Sequence, residues 1–422
     1  MDSNNVFDLV IIGSGISGLT AGLKARERKL NFKILAGEEV GGKLQSFMDQ
    51  NIIIERAANV LVKKKALEDL INILNLQESV AYPRVNKFKQ AVMLDNKIIP
   101  FTLFSLLVLI IKEGCFGNLK NLFRPVNAIL SKKITVHELT EKLFASPKVS
   151  RFISGIFRGT YGVESKRLTL SLAAPLFYKH LLSGKLPISY LFLKKRPQIF
   201  SFKEGNRQLI VSLLGKVEKF MIHENCVDIK KKPDYFEIYA DSNTFKAKKI
   251  LLATDRLAGF LKNLCPNLAD LISKHPRTTL SVIHLFDSPG LIEKDCLGIL
   301  SANISPGGFI GILQPGAAFS HMSSINATLY NIFYLGDKSS FSFESILQEL
   351  KENEKLSLSG KAKIIDISVW KDVFPEYSPE LLPIIEEINS IEQSNNKIKF
   401  ACFSDGKGLG VSDRIEKVWD EC

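Results

Sequence analysis

A chain of 422 residues, 45% hydrophobic and 24% charged, is neither disordered nor fibrous, and its length calls for two or three domains with cores of their own. The formal net charge of +12 asks for an anionic partner, such as an acidic membrane surface or a polyanionic small molecule. The lysine runs at 63–65 and 230–232 sit in polar stretches and read as solvated faces, so nucleic acid is not an expected partner.

The first five residues are acidic and polar, and no secretory signal is expected ahead of the first strand. The apolar run Leu9-Val10-Ile11-Ile12 leads into Gly13-Ser14-Gly15-Ile16-Ser17-Gly18. A strand, a glycine turn and a helix in this order make a cradle for a dinucleotide phosphate. The first glycine turns the chain, the second lets backbone N–H groups reach a pyrophosphate, and the third lets the helix pack on the strand. The phosphate would rest on the positive end of the helix that begins near Ile16.

A second strand at 32–35 completes a parallel pair joined by a crossover, and Val40-Gly41-Gly42-Lys43 follows it. Next come a short strand at 52–55, a helix at 66–76 and a hairpin over about 85–100 that turns at Asp95-Asn96. From 101 to about 195 the pattern is helical, punctuated by Pro125, Pro147, Pro175 and Pro187, without strands. The apolar run at 98–111 is shorter than the roughly 20 residues that span a bilayer. It fits a buried helix, or an interfacial one beside Lys112, Phe116, Lys120, Phe123 and Arg124.

Strand patterns return at 200–202 and, after a helix over 208–220, at 235–239 and 249–254. Strands at 280–286, 309–313 and 328–335 imply a mixed or antiparallel sheet. Helices over 343–353 and 379–390 precede a last strand at 400–403. Nucleotide-type strands thus recur at the start, near 200–254 and near 400, which makes the other domains insertions in a discontinuous one. Cys115, Cys226, Cys265, Cys296, Cys402 and Cys422 show no C-x-x-C spacing and are expected as reduced thiols in a cytoplasmic protein. His137, His180, His223, His275, His284 and His321 have no ligand spacing, so no metal site is expected and each reads as structural or surface.

The order of these segments resembles the FAD-dependent amine oxidase superfamily and, within it, the protoporphyrinogen oxidase branch, over nearly the whole chain. The paired glycine motifs at 13–18 and 40–43 carry the N-terminal likeness. In the middle, Ile153-Ser154-Gly155-Ile156-Phe157-Arg158-Gly159-Thr160-Tyr161-Gly162-Val163, then Arg167-Leu168-Thr169 and Pro175-Leu176-Phe177, look like the porphyrin branch. So do Gly311-Ile312-Leu313 with Phe319, and 329–336. Val373-Phe374-Pro375-Glu376-Tyr377 and Gly408-Leu409-Gly410-Val411-Ser412-Asp413-Arg414-Ile415 resemble its C-terminal signatures.

The resemblance implies an α/β protein: a discontinuous Rossmann-like FAD-binding domain (1–80, 200–255 and 395–422), an α+β substrate-binding domain (81–100 and 256–394) and a helical, membrane-associated insertion (101–199). FAD would place its pyrophosphate on Gly13 to Gly18, with Gly41, Gly42 and Lys43 along the ribose and phosphates and the backbone of Val227 at the adenine. Leu409, Gly410 and Val411 would lie at the flavin, where the helix near Ser412 offers its N–H groups. Asp405 would stand near the ribityl chain. Val163, Leu313 and Tyr334 would line the substrate slot, with Arg124 or Arg158 on a propionate.

Several positions depart from the family pattern. The acidic residue expected on the adenosine ribose is Leu35, with Glu38 or Glu39 as substitutes. The approach to the isoalloxazine reads Glu55-Arg56-Ala57-Ala58, without its glycine. A Gly-Gly pair has become Glu204-Gly205-Asn206, a Gly-His has become Glu380-Leu381, and an Ala-Gly has become Gly162-Val163.

The reaction implied is stepwise dehydrogenation of a porphyrinogen, protoporphyrinogen IX or coproporphyrinogen III, in haem biosynthesis, the flavin supplying the redox chemistry. Two other readings stay open: an FAD oxidoreductase for another apolar substrate such as an amine or a polyene, and a homologue that keeps the fold without the activity. Further expectations are peripheral contact with the inner face of the cell membrane and a homodimer.

Overall fold

The computed structural model describes residues 6–419 except 38, 85–88, 96, 194–197, 289–290, 304–308, 325–327 and 353–357. Glu38, Asn96 and Cys422 therefore lie outside the described residues.

Two seven-stranded sheets organise the chain. The first has Val6–Ile12 at its centre, parallel to Phe32–Leu35 on one side and to Thr244–Leu252 on the other. Leu9 to Ile12 are buried on both faces, which is why this strand is a continuous apolar run rather than an alternating one. Met221–Ile222 extends the sheet beyond Phe32–Leu35. Phe236–Ala240 and Cys226–Lys231 extend the other edge as an antiparallel meander, and Ile398–Phe400 adds parallel to the end of Thr244–Leu252. Strands from three distant parts of the chain thus meet in one sheet, as the recurring nucleotide-type patterns require. The last strand ends at Phe400, and residues 403–405 form a 3₁₀ turn.

The second sheet runs in the order Lys363–Pro375, Arg277–Asp287, Thr328–Leu335, Phe309–Leu313, Cys296–Ser301, Lys89–Leu94, Lys97–Pro100. All its pairings are antiparallel except that of Cys296–Ser301 with Lys89–Leu94. One face packs under the helix Phe343–Glu352 through Tyr330, Ile332, Tyr334, Ile346 and Leu350. The other meets the small hairpin of Ser46–Asp49 and Ile52–Glu55, where Ile52, Ile54, Phe286 and Leu329 form a shared apolar cluster. That hairpin hangs from the first sheet's side of the molecule, so the junction between the two sheets is built around it.

Described residues 101–193 carry helices and no strand, the longest helix being Pro147–Tyr161. Ser146 caps its start and Gly162 ends it in a left-handed conformation. The apolar run at 98–111 is split. Ile98 to Pro100 end the hairpin, and Leu103–Lys112 is a helix capped by Thr102. Among the described residues no helix is long and apolar enough to cross a membrane.

Candidate functional site

The glycine loop has the backbone its sequence demands. Gly13 sits at φ +113° and donates its N–H to Leu35 O at 2.8 Å, which joins the first strand to the end of the second. A Cβ at Gly18 would overlap the carbonyl oxygen of Gly13, so the helix can start here only as glycine. Around Gly15 the geometry is open, because a Cβ there would meet no protein atom within 4 Å. The helix Ile16–Glu27 begins with no side-chain cap and no acid in its first turn, which leaves its N-terminal N–H groups and its dipole to an anion.

The second glycine pair closes on the first. Gly41 N–H donates to Ser14 O at 2.9 Å, the Ser14 hydroxyl donates to Ala36 O at 2.9 Å, and a Cβ on Gly42 would come within 3.3 Å of Gly15 Cα. Ser17 is buried beneath the loop, and Ile16 packs on the apolar core under the helix. Lys43 then extends along the trough with Nζ 3.6 Å from Asp255 Oδ2 and 4.6 Å from the centre of the Phe403 ring. Burial pushes the Lys43 ammonium below its ordinary pKa, with Asp255 opposing and Arg277 and Arg256 adding to the fall. Two cations pair with one carboxylate, since Arg277 Nη2 lies 3.9 Å from Asp255 Oδ1, and Arg256 adds a third positive charge nearby. The surplus of positive charge suits a phosphate or a carboxylate. Asp255, Arg277 and Phe403 were not singled out in the sequence; the end of a buried strand at 249–254 was the available signal.

A dinucleotide fits this trough at its phosphate end, where the space in front of Gly15 and the uncapped helix are both present. At the adenine end Val227 lies in a bulge between Cys226 and Asp228 and is 56% exposed, so its backbone is offered outward. The ribose end differs. Leu35 is in the apolar core and supplies no carboxylate, and Glu39 is exposed.

At the expected flavin end, Leu409 packs on the core and Gly410 opens the helix Val411–Trp419. Gly410 N–H is already used, donating to Asp413 Oδ2 at 2.9 Å. The expectation that the N–H groups at this helix start serve the flavin is corrected to that extent: a first-turn acid caps the helix from within. Asp405 is corrected too. It faces inward, accepting from Arg414 Nη1 at 2.9 Å and Nη2 at 3.0 Å, and is 2% exposed.

Nor does the structure bring the three slot residues together. Val163 is buried in the largest core, whereas Leu313 packs beside Ile53 and Phe319. Tyr334 lies on the opposite face of the sheet from Leu313, because Leu313 pairs with Asn331 and side chains alternate along Thr328–Leu335. Arg158 is committed internally, with Nε 2.8 Å from Glu164 and Nη1 donating to Asn303 O at 2.7 Å, and Arg124 is exposed on the helical segment.

Between the sheets lies a buried polar chain. Asn59 follows the hairpin and accepts from Asn331 Nδ2; Asn331 Oδ1 is 2.7 Å from His284 Nδ1; His284 Nε2 is 3.1 Å from Ser368 Oγ. Ser368 also bonds Asp366, which pairs with Arg56 at 3.4 Å, and Trp370 Nε1 donates to Arg56 O at 3.0 Å. His284 is therefore structural in the sense the sequence allowed, but as the hub of a network.

Glu55, at the end of the hairpin, is buried and accepts from Asn206 N at 2.6 Å and Ser46 Oγ at 2.7 Å. Burial pushes its pKa up to about 7, against the pull of both hydrogen bonds. A pKa raised on folding makes a stabilising contribution that is complete below the unfolded value and lost as pH rises through 7. The Glu55→Gln protein should equal the parent in denaturant stability at pH 4 and exceed it at pH 8. The expected gain is about 3 kcal/mol, read from urea unfolding at the two pH values.

Comparison with known proteins agrees with this architecture. The family description "NAD(P)-binding Rossmann-like domain" matches residues 11–74. Coproporphyrinogen III oxidase of Bacillus subtilis (strain 168) is 22% identical over 97% of this chain and 96% of its own length. A crystal structure assigned as a protoporphyrinogen oxidase, from Exiguobacterium sp. 255-15, superposes with a TM-score of 0.78 at 19% identity, covering 97% of this chain and 96% of that one. Over nearly its whole length the chain is thus similar to proteins named as porphyrinogen oxidases, and it shares their fold. Cyclohexylamine oxidase from Brevibacterium oxydans IH-35A shares the fold more distantly, with a TM-score of 0.69 at 14% identity and 98% coverage of both chains. The matched Rossmann-like description is that of a dinucleotide-binding domain, in agreement with the glycine loop. The trough keeps the phosphate end of the site and replaces the ribose carboxylate with Leu35.

Proposed function

We propose that this protein is an FAD-dependent oxidoreductase that dehydrogenates a porphyrinogen, protoporphyrinogen IX or coproporphyrinogen III, to the porphyrin in haem biosynthesis. The observation that supports the reading is the end-to-end match to a porphyrinogen oxidase at 97% and 96% coverage. When bound, FAD supplies the redox chemistry by accepting hydride from the substrate. The chain's own residues hold and orient. The loop at 13–18 and Lys43 take the phosphates. The surplus of cations around Asp255 draws the anionic substrate toward the trough. The hairpin packs on the second sheet through Ile52, Ile54, Phe286 and Leu329, beside the buried polar chain.

In this reading the first sheet and its strands constitute the FAD-binding domain and the second sheet the substrate domain. Phe101, Leu103, Phe104 and Ile111, all exposed beside Lys112, form a surface for peripheral contact with an anionic membrane. Sedimentation with phosphatidylglycerol vesicles should be strong for the parent and weak for Phe104→Asp.

The expected result for the activity is a visible flavin spectrum in the purified protein and growth of porphyrin fluorescence, faster than autoxidation, on adding either porphyrinogen. Bound flavin without that growth would overturn the substrate. A second reading, a homologue that keeps the fold without the activity, is favoured by Leu35 and by the self-capped helix at Gly410. A protein without flavin absorbance, even after incubation with FAD, decides for it.

A further inference from the structure

The polar chain between the sheets has only two consistent arrangements of protons, and this makes it a switch. Asn59 Nδ2 donates to Ala57 O at 3.0 Å, so its Oδ1 is the acceptor for Asn331 Nδ2. Asn331 must then present Oδ1 to His284, and at 2.7 Å that oxygen needs a proton on Nδ1. The other ring nitrogen faces Ser368 Oγ at 3.1 Å, and Ser368 owns a single proton. If the hydroxyl donates to Asp366 Oδ2, 2.8 Å away, His284 must also carry a proton on Nε2 and is an imidazolium. If the hydroxyl turns to donate to Nε2, His284 is neutral, and Asp366 is left to Arg56. One proton on the imidazole therefore decides which way Ser368 points.

The surroundings give the switch a route outward. His284 and Asn331 are fully buried, while Asp366 and Arg56 reach solvent with side chains 27% and 41% exposed. Among the described residues the charged groups acting on His284 are Asp366 from the strand Lys363–Pro375 and Arg56 from the loop after the hairpin, and Phe47 meets the ring edge-on at 6.1 Å. Arg56 also lies 5.0 Å over Phe47, and its carbonyl holds Trp370, so the loop 56–59 is tied to the network at Arg56 and at Asn59. Burial holds the imidazole below its ordinary pKa, with Asn331 and Asp366 pulling it up and Arg56 pushing it down.

We propose that His284 is a positioning residue whose proton selects between two settings of Ser368 and, transmitted through Asp366 to Arg56, sets the placement of the loop 56–59 against the substrate sheet. Because that loop corresponds to the family's approach to the isoalloxazine, the switch adjusts the flavin's surroundings. This last step rests on the function proposed above.

The chain reports on itself, because it has two tryptophans and one of them, Trp370, bonds to Arg56. In a Trp419→Phe, Glu55→Gln background, the second change silencing the neighbouring acid that titrates at about 7, emission from Trp370 should titrate once, with a midpoint below the ordinary histidine value of about 6.5. His284→Gln should abolish the titration. Arg56→Gln, which removes the opposing cation, should raise the midpoint. Ser368→Ala, which takes away the acceptor for the Nε2 proton, should lower it, each by on the order of one pH unit. A titration that survives His284→Gln, or midpoints that ignore both other substitutions, would overturn the switch. These readings need no flavin, so they stand whether or not the functional assignment does. With FAD bound, the visible flavin band should shift over the same pH range in the parent and not in His284→Gln. A band that stays fixed while Trp370 titrates overturns the positioning role.

Discussion

Gly15→Ala should fold with the parent's stability and lose its flavin, whereas Gly18→Ala should lose both. The two glycines lie three residues apart in one loop, and the structure separates their duties. A methyl group on Gly15 meets no protein atom within 4 Å, and the residue's φ of −75° and ψ of −175° are open to alanine. The added carbon instead enters the space where the helix N-terminus would receive a pyrophosphate, displacing the ligand rather than the protein. On Gly18 the same carbon collides with the backbone carbonyl of Gly13, a residue whose N–H is tied to the second strand and whose backbone cannot yield as a side chain would. Overpacking of this kind costs roughly 3 kcal/mol or more. Absorbance at the flavin bands against protein concentration, with urea unfolding of the same samples, tests both. Flavin retained at parental occupancy in Gly15→Ala would place the cofactor elsewhere.

The loop was legible because its demand is stereochemical: a turn at positive φ, an open approach and a close crossing each exclude side chains, and glycine alone satisfies them. The discontinuous first sheet was legible for a related reason, since strands buried on both faces are continuous apolar runs wherever they fall in the chain. The strand Lys363–Pro375 was not. Its sequence places Asp366, Ser368, Lys371 and Asp372 among apolar residues, because one face meets the polar junction and its end is exposed. Leu313 and Tyr334 were expected in one slot yet face opposite sides of the sheet, because parity along a strand depends on register, which the pairing with Phe309–Leu313 supplies. The junction network was hidden by distance along the chain, with Asn59, His284, Asn331 and Ser368 drawn from four separate segments. The faint signal was His284 and Asn331, each flanked by apolar residues within a strand, for a buried polar side chain requires a partner.

Asp405→Ala should destabilise the protein by about 3–5 kcal/mol while leaving the flavin content of the folded fraction unchanged. The resemblance places an acidic residue here beside the ribityl chain, but the carboxylate is spent on Arg414, whose guanidinium also donates to Cys402 O at 2.6 Å. Both side chains are almost wholly buried. Removing the acid leaves a guanidinium cation with neither water nor counter-charge, and that uncompensated charge, rather than the lost bond, sets the size of the effect. Replacing both partners together, Asp405→Leu with Arg414→Met, removes the stranded charge and should recover most of the stability. The pair also ties the 3₁₀ turn after the last strand to the final helix, so its loss acts on the segment that carries Leu409, Gly410 and Val411. Urea unfolding of the single and double variants separates charge from packing. Flavin occupancy, measured per folded molecule at low denaturant, separates a structural pair from a cofactor ligand. An Asp405→Ala protein of parental stability, or one that folds fully yet binds no flavin, would return Asp405 to the cofactor.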